Sequence, residues 1–330
     1  MTKVIGRAQI GEAAACIQNG GTVVFPTETV YGLGADACNE AAVAKIFAAK
    51  GRPADNPLIV HIADAADVYK LARSVSQTAK RLMEAFWPGP LTLVFQKTPL
   101  AGRMVTAGLD TVAVRMPSNE LARELIVKSG RFIAAPSANR SGSPSPTVLR
   151  HVAADLDGKV DYIIDGGGCE IGLESTVVDV SGDVPELLRP GKITPEQLRG
   201  LVPDLRISSG ILQEVERPKC PGMKYTHYSP KAAVIVVEGE PEAVHAYIAA
   251  RVTGQDGILS YHTAPFDGAK LVIDAGADMT AYAEGLFYNL RVFDEHSVAT
   301  IYAAFAQEPG IGLAVKNRLY KAAGHHVVYV

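Results

Sequence analysis

The sequence predicts an α/β protein with two domains of unequal size, and three observations carry this prediction. The chain has 330 residues, 48% of them hydrophobic and 20% charged, which is enough for about two domains of ~150 residues each. In the first two-thirds, short apolar runs alternate with helical stripes, as in a sheet covered by helices, and the many Gly and Pro turns favour a mixed sheet. After a Pro- and Gly-rich segment the alternation resumes, which predicts a smaller Rossmann-like α/β domain at the C-terminal end.

The predicted boundaries follow these changes in composition. They are a first domain over 1–202, a Pro/Gly-rich linker over 203–231 and a second domain over 232–330. Plain spacers are rich in Ser, Gly and Glu. This linker instead carries Tyr225, His227 and Tyr228 close together, so we expect part of it to contact something.

Periodicity and turn residues predict the individual elements. The predicted strands of the first domain are 22–25, 58–62, 91–96, 111–115, 132–135, 162–164 and 176–180. Its predicted helices are 77–86, 120–128, 147–155 and one that begins after the cap Asn39 and ends at Gly51. In the second domain, the predicted strands are 233–237, 257–260 and 270–273, and the predicted helices are 241–251 and 279–292.

Composition also excludes several classes of protein. The apolar content excludes a disordered chain, and no apolar run approaches the ~18–20 residues that span a bilayer. No export signal is visible at the start of the sequence, so we expect a cytoplasmic protein. The four cysteines, Cys16, Cys38, Cys169 and Cys220, are widely spaced, which argues against a disulfide framework and against a zinc site.

The net charge of −3 is unevenly distributed. Residues 1–202 carry 21 basic and 21 acidic side chains, residues 203–231 carry 5 and 3, and residues 232–330 carry 6 and 11. The acidic last third would repel a phosphate backbone, which argues against direct tRNA binding through that segment. We therefore expect any anionic ligand to bind in the first two-thirds of the chain.

The run GLGADA at 32–37 matches the GxGxxA dinucleotide fingerprint, and Asp55 lies about the right distance beyond it. In that fingerprint the first glycine directly follows the strand and opens a helix. Here Pro26 ends the strand six residues earlier, which argues against a dehydrogenase.

The turn after the first predicted helix carries two cations, Lys50 and Arg52, beside Asn56. A helix C-terminus explains Lys50, because a cation there complements the helix dipole. It does not explain Arg52 or the stiff Pro-flanked run. A planar guanidinium and a point charge on one rigid turn also suit a phosphate clamp, and both interpretations stay open.

Polar residues also follow the predicted strands. The run 134–146 supplies Ser137, Asn139 and Ser145. This run is either an ordinary loop or a ligand-binding loop. The second interpretation follows from its position, because ligands bind at the carboxyl ends of α/β strands. Arg115 closes a mostly apolar strand and suits a carboxylate. His61 lies in an apolar strand, where a histidine is more often a hydrogen-bonded core residue than a ligand.

Five motifs stand in the order found in the YrdC-like family: PTETVYGLG at 26–34, KGRP at 50–53, WPGP at 87–90, APSAN at 135–139 and ESTV at 174–177. PGMKYTHYSP at 221–230 resembles the linker of the long, two-domain members, and GIGLAVKNRL at 310–319 resembles the end of their second domain. The chain is thus similar to these members over nearly its whole length. The resemblance implies a YrdC-like twisted mixed sheet with helices in the first domain.

The same resemblance implies an L-threonylcarbamoyladenylate synthase. Such an enzyme joins ATP, L-threonine and bicarbonate into threonylcarbamoyl-AMP and releases pyrophosphate, with Mg²⁺ accompanying ATP. The product feeds a separate tRNA threonylcarbamoyl transferase complex, which modifies ANN-decoding tRNAs. This nucleotidyl transfer agrees with the residues, because cations must neutralise the tetra-anion before a carbamate can attack the α-phosphate.

The resemblance also implies the roles of individual residues. Lys50 and Arg52 form the catalytic clamp on the pyrophosphate side. The positions matched to ATP binding are Arg52, Asn56, Thr111, Ser137, Ser145, Arg189 and Tyr225. The positions matched to L-threonine binding are Thr29, His61, Arg115, Ala135 (through its backbone), Ser137 and Ser175. The linker, with Tyr225, would close over the nucleotide as a lid.

Two other functions remain open at this point. An RNA-binding or ribosome-maturation module is suggested for some YrdC-like relatives, although the charge distribution speaks against strong backbone binding. A carbamoyl-transfer domain, as in hydrogenase maturation proteins, normally lies beside acylphosphatase and zinc-finger modules, which this sequence lacks.

Overall fold

The computed structural model describes residues 1–211 and 228–330, which form two compact units. The first unit contains residues 1–141 and 145–211, and the second contains 142–144 and 228–330. Most of the predicted linker, including Tyr225, lies outside the described residues.

The first unit contains a sheet and the helices that flank it. Its strands are β1 Lys3–Ile5, β2 Val23–Phe25, β3 Gly32–Asp36, β4 Ile59–His61, β5 Leu91–Gln96, β6 Thr111–Arg115, β7 Ile133–Ala134, β8 Tyr162–Ile164, β9 Thr176–Asp179, β10 Glu186–Arg189 and β11 Arg206–Ile207. Its helices are α1 Ile10–Gln18, α2 Glu40–Lys50, α3 Val68–Leu71, α4 Gln77–Phe86, α5 Arg103–Thr106, α6 Glu120–Ser129, α7 Leu149–Leu156 and α8 Pro195–Leu201. Short 3₁₀ turns are Arg7–Gln9, Ala65–Asp67 and Ser209–Ile211.

The strands of this unit join in one mixed sheet, which confirms the predicted fold class. The strand order among the described residues is β1-β8-β2-β3-β7-β4-β6-β5-β9-β10-β11. At the centre, β4 and β6 run parallel, whereas β7 on one side and β5 on the other run antiparallel to them. A core of buried apolar residues from α1, α6 and the strands β2 and β7 packs on one face of the sheet.

The strands predicted for the first domain are present, three of them with the predicted bounds, but four strands of this unit were missed. These are β1, β3, β10 and β11. The strand β3 contains the glycines of the GxGxxA run, so this run is no phosphate-binding turn. A Cβ on Gly34 would lie 2.6 Å from Ile133 Cγ2 and 2.7 Å from Phe25 Cε1. The glycine is therefore needed for packing, and packing is not visible in a linear sequence.

Helix α2 forms as predicted and places Lys50 in its last turn. The Asn39 side chain accepts a hydrogen bond from the amide of Ala42, which satisfies one of the unpaired donors at the helix start. Gly51 ends the helix in the left-handed region, with φ 62°, a conformation that glycine adopts without the steric cost of a Cβ. The parallel pair of β11 with β10 extends the sheet of the first unit into residues predicted as linker.

The second unit is a smaller parallel sheet with helices, as predicted. Its strands are β12 Ala233–Glu238, β13 Gly257–Ser260, β14 Leu271–Asp274, β15 Thr300–Phe305 and β16 Val327–Tyr329, and its helices are α9 Pro241–Ala249, α10 Met279–Glu295 and α11 Gly312–Ala322. The strand order is β14-β13-β15-β12-β16, with every neighbouring pair parallel. The individual elements β15, β16 and α11 were not predicted. In the part of the chain that the structure describes, no helix is long and apolar enough to cross a bilayer.

Candidate active site

The register of the central strands aligns three polar side chains in one row. His61, the last residue of β4, pairs with Arg115, the last residue of β6. On the other side of β6, Thr92 of β5 pairs with the same Arg115. Because direct cross-strand partners point to the same face of a sheet, these side chains lie side by side.

Arg115 is the centre of a buried polar group that we name the strand-end cluster: Glu28, Thr29, His61 and Arg115. The guanidinium donates to Glu28 Oε1 at 2.7 Å and to Thr29 Oγ1 at 2.9 Å. A longer bond of 3.4 Å reaches the carbonyl oxygen of Gly89. Both charged side chains are about 5% exposed, so Arg115 is held in place from several directions before any ligand arrives.

The charge of Arg115 determines the protonation state of Glu28. Burial alone raises the pKa of this carboxyl group, but the charge and hydrogen bond of Arg115 outweigh burial and hold the pKa below its ordinary value. Glu28 is therefore ionised at neutral pH. Its second oxygen, Oε2, is buried without a hydrogen-bond partner among the described residues.

His61 is buried as a neutral imidazole. Burial, with a further contribution from the charge of Arg115, lowers its pKa to about 3. Its ring packs edge-on against Phe25 with 6.0 Å between the centroids, and Nδ1 has no partner among residues 1–211 and 228–330. A neutral imidazole with an unpaired ring nitrogen can serve a polar ligand group as a hydrogen-bond partner, but not as a cation.

Beside this row lies a second group, the serine bridge, formed by Thr92, Ser175 and Arg189. The hydroxyl oxygens of Thr92 and Ser175 lie 2.8 Å apart. Arg189, at the end of β10, donates to the Ser175 hydroxyl at 3.1 Å and to its carbonyl oxygen at 3.0 Å. Both Ser175 and Arg189 are buried, and the bridge joins two residues predicted for different ligands.

The third group, the loop cluster, consists of Lys50, Ser137 and Asn139. The Lys50 ammonium donates to the carbonyl oxygens of Ser137 at 2.5 Å and of Asn139 at 2.6 Å, and lies 3.3 Å from Asn139 Oδ1. The Ser137 hydroxyl donates to the same Oδ1 at 2.5 Å. In these contacts, Lys50 holds the shape of the loop that follows β7.

The remaining residues predicted for ATP lie along the same unit. Arg52 donates to the carbonyl oxygens of Asn56 and Pro57 at 3.3 and 3.4 Å, so its side chain folds over its own turn. The Oδ1 atom of Asn56 is buried with no partner in the described part of the chain. Ser145 donates to Glu174 Oε1 at 2.6 Å, with both residues buried.

Two family models match the chain. One, described as "Telomere recombination" and named Sua5_yciO_yrdC, matches residues 15–191. The other, described as "Threonylcarbamoyl-AMP synthase, C-terminal domain", matches residues 193–324. The threonylcarbamoyl-AMP synthase of Bacillus subtilis is 49% identical over 97% of this chain and 94% of its own length.

The chain belongs to the threonylcarbamoyl-AMP synthase family. The synthase of Pyrococcus abyssi is 48% identical over 96% of this chain and 95% of that protein. The crystal structure of P. abyssi Sua5 complexed with L-threonine matches with a TM-score of 0.93 at 44% identity, covering 100% of this chain and 99% of the other. The predicted resemblance to the long, two-domain form is confirmed, and the family relationship favours the enzyme over the RNA-binding module.

Within this family fold, the three groups contain seven of the predicted site residues: Thr29, Lys50, His61, Arg115, Ser137, Ser175 and Arg189. Five others lie outside the groups: Arg52, Asn56, Thr111, Ala135 and Ser145. Thr111 and Arg115 lie at opposite ends of β6, about 13 Å apart at ~3.3 Å per residue. That distance suits a composite ligand along the strand better than a single small one. The Ala135 amide already donates to the Ile59 carbonyl oxygen at 2.9 Å, so its own carbonyl oxygen is the backbone group available to a ligand.

Four residues that contact the predicted site residues were not assigned to a ligand by the sequence analysis. Glu28, Asn139 and Glu174 stand inside the quoted motifs, so a polar residue within a motif was the available signal. Thr92 stands in the apolar strand that follows WPGP, outside the motif itself, and the register of β5 with β6 reveals it. Among the described residues, no group of three His, Cys, Asp or Glu side chains could hold a metal ion.

Proposed function

We propose that this protein condenses L-threonine, bicarbonate and ATP into threonylcarbamoyl-AMP, pyrophosphate and water. The observation that carries the proposal is the meeting of all five sequence motifs in the three hydrogen-bonded groups. PTETVYGLG supplies Glu28 and Thr29, WPGP supplies the Gly89 carbonyl oxygen, and ESTV supplies Ser175. KGRP and APSAN meet in the loop cluster.

The strand-end cluster suits the amino-acid substrate. A threonine carboxylate needs a cation that is already oriented, and Arg115 is fixed by Glu28 and Thr29. Neutral His61 and the hydroxyls of Thr29 and Ser175 can bind the amine and hydroxyl of the substrate, with the carbonyl oxygen of Ala135 as a further acceptor. Because the pKa of His61 is lowered to about 3, its imidazole is neutral at physiological pH. It therefore contributes hydrogen bonding rather than charge.

The turn and loop around α2 suit the nucleotide. Arg52 supplies a guanidinium for phosphate, and the amide of Asn56 has a buried oxygen without a partner among the described residues. Lys50 fixes the backbone of the loop that carries Ser137 and Ser145, so its effect on catalysis passes partly through loop shape. Thr111 and Arg189 complete the set proposed for ATP, and Tyr225 lies outside the described residues.

Mg²⁺ would enter with ATP. Magnesium in such sites is usually held by one or two carboxylates and by the phosphates of the substrate. An ion held in this way needs no larger group of protein ligands, and no group of three or more His, Cys, Asp or Glu side chains that could hold a metal lies among the described residues. Its chemistry would be neutralisation of phosphate charge, beside Arg52.

Bicarbonate and the next enzyme are also part of this proposal. Carbamate formation on the threonine amine, which releases water and a proton to the solvent, can precede adenylation. The carbamate is then already an anion, so the adenylation step needs no general base from the protein. The mixed anhydride formed is labile. We therefore propose that it passes directly to a separate transferase complex that modifies the adenosine beside the anticodon of ANN-decoding tRNAs.

A mass-spectrometric assay tests the reaction. Protein, ATP, Mg²⁺, L-threonine and bicarbonate are combined, each is omitted in turn, and pyrophosphate and threonylcarbamoyl-AMP are measured. We expect product only in the complete mixture and at least a hundredfold loss in Arg52→Ala, because one positioned charge contributes on the order of 10²–10³ in rate.

The matched control is Arg199→Ala, an exposed arginine of α8, which should keep the activity of the unaltered protein. ATP binding without pyrophosphate release, in the complete mixture, would contradict the proposed function. A salt-dependent RNA titration would then test the RNA-binding alternative.

A further inference from the structure

A cavity of about 690 Å³ lies in the first unit between α6 and the 3₁₀ turn that precedes α3. None of its lining residues belongs to the strand-end cluster, the loop cluster or the serine bridge. Its walls come from Asp36, Cys38, Ala63, Asp64, Asp67, Lys70, Met116, Arg123, Ile126, Val127, Gly130, Arg131 and Phe132. The cavity has the size range of small-molecule sites.

Most charges around this cavity are already paired. Lys70 forms an ion pair with Asp67 at 2.8 Å, and Arg131 forms one with Asp36 at 3.4 Å. Arg123 is different, because it forms no ion pair with a described residue and its Nε atom is buried without a hydrogen-bond partner among them. Arg123 lines the cavity, and a guanidinium carries five N–H donors. A ligand carboxylate in the cavity would therefore give this charge the anionic partner that no described residue supplies.

Apolar side chains form much of the remaining wall. Met116 and Ile126 are buried, whereas Val127, one turn beyond Arg123 on α6, is 68% exposed. The Lys70 ammonium lies over the Phe132 ring, 5.8 Å from its centre. A cation without an ion pair beside an apolar wall suits a ligand with a carboxylate and an apolar body.

We infer that this cavity binds a small organic carboxylate with an apolar chain, which Arg123 holds by its carboxylate. Two sources share this chemistry, a simple fatty or branched-chain acid and an apolar amino acid. Asp64 distinguishes them, because its carboxylate also lines the cavity and forms no ion pair with a described residue. An ammonium group on the ligand would be attracted to it.

Methyl NMR of the complete protein tests the inference. The chain has six methionines. Met116 lines the cavity, whereas Met83 and Met279 are buried and do not line it. L-Leucine and 4-methylpentanoate are titrated in the presence of saturating L-threonine. They share the same apolar chain and differ in the ammonium group. We expect a saturating shift of the Met116 methyl signal while those of Met83 and Met279 stay unchanged.

Two variants locate the binding at Arg123. Arg123→Gln removes the charge and should weaken the affinity about tenfold or more, because hydrogen bonds to charged groups are the stronger ones. Val127→Glu introduces a carboxylate at an exposed position one turn away, where it would occupy Arg123 and repel the ligand. Arg199→Gln on α8 should bind like the unaltered protein. Unfolding curves establish that each variant is folded.

The outcomes separate the two sources and also test the inference itself. Tighter binding of L-leucine assigns the site to amino acids, and equal binding assigns it to carboxylates in general. L-Leucinamide, which lacks the carboxylate, should not shift the Met116 signal. A shift with L-leucinamide, equal affinities in folded Arg123→Gln, or no saturating shift with either acid would overturn the inference. None of these results depends on whether the protein makes threonylcarbamoyl-AMP.

Discussion

The strand-end cluster and the loop cluster each contain a buried cation, Arg115 and Lys50, but they stabilise it in different ways. In the strand-end cluster, Arg115 faces the carboxylate of Glu28 at 2.7 Å, and both are about 5% exposed. In the loop cluster, Lys50 donates to the carbonyl oxygens of Ser137 and Asn139, two residues of the loop that follows β7. The first arrangement fixes a side chain on a rigid strand, and the second uses a side chain to fix a loop. The difference teaches that Arg115 should affect stability and substrate binding together, whereas Lys50 should act mainly through loop geometry.

Arg115→Met should produce the largest effect, because it leaves the buried Glu28 without its cation. Breaking a buried ion pair by removing one partner costs about 3–5 kcal/mol. The free energy of unfolding, measured in denaturant, should fall by that amount at neutral pH, and threonine-dependent pyrophosphate release should be lost.

The pH dependence of this loss sharpens the comparison. With Arg115 present, the pKa of Glu28 is lowered. Its stabilising contribution is therefore present above the unfolded pKa, about 4.3, and is lost as the pH falls through the folded pKa. In Arg115→Met, burial should raise that pKa instead, so that stability is lost as the pH rises. The difference between the two proteins should thus grow from pH 4 to pH 7, and a constant difference would refute the role assigned to the ion pair.

Lys50→Met should have the next largest effect. Several acceptors in the loop cluster lose their donor, and a buried unsatisfied polar group costs about 1–3 kcal/mol. We expect a loss of about 2–3 kcal/mol in the free energy of unfolding and a fall in kcat/KM of about a hundredfold, because the loop that carries Ser137 loses its anchor.

Lys45→Met is the matched control for Lys50. Lys45 lies on the same helix and donates to the Gly20 carbonyl oxygen at 2.6 Å, away from the loop cluster. Its removal should leave kcat/KM within about twofold. Similar activity losses in the two variants would show that the helix as a whole, rather than the loop cluster, is responsible.

His61→Gln should change how stability depends on pH. Because the folded pKa is about 3 and the unfolded value about 6.5, the unfolded chain binds more protons between these values. Stability should therefore fall as the pH decreases below about 6.5, by about 2 kcal/mol between pH 6.5 and pH 5. In the glutamine variant this contribution is absent, so the stability gap between the two proteins should narrow on acidification. Parallel pH profiles would contradict a buried neutral His61.

Asn39→Ala should have the smallest effect. It removes the cap of α2 at the end opposite Lys50, and the loss of such a cap costs about 1 kcal/mol. Thermal unfolding should register this loss, with turnover unchanged. A large loss of activity would mean that the loop cluster depends on the start of α2 as well as on its last turn.

Local patterns predicted the elements that are determined by residues close together in the sequence. Helix α2 was predictable from Asn39, its apolar stripe and Gly51, because caps and periodicity act within a few residues. The strands β5 and β6 were predictable as apolar runs. The strand β3 was missed because Gly32 and Gly34 lack strand propensity, and their place in the sheet depends on Phe25 and Ile133 packing against them.

The sequence by itself determined the α/β class, the family and the residue types of the site, since motif order and hydrophobic periodicity are properties of the chain alone. Only the tertiary structure decided which of those residues meet. Glu28 and Arg115 are 87 residues apart, and Thr92 reaches Ser175 through the register of strands that pair across the sheet. Non-local pairing of this kind depends on how the strands come together, so no local pattern encodes it.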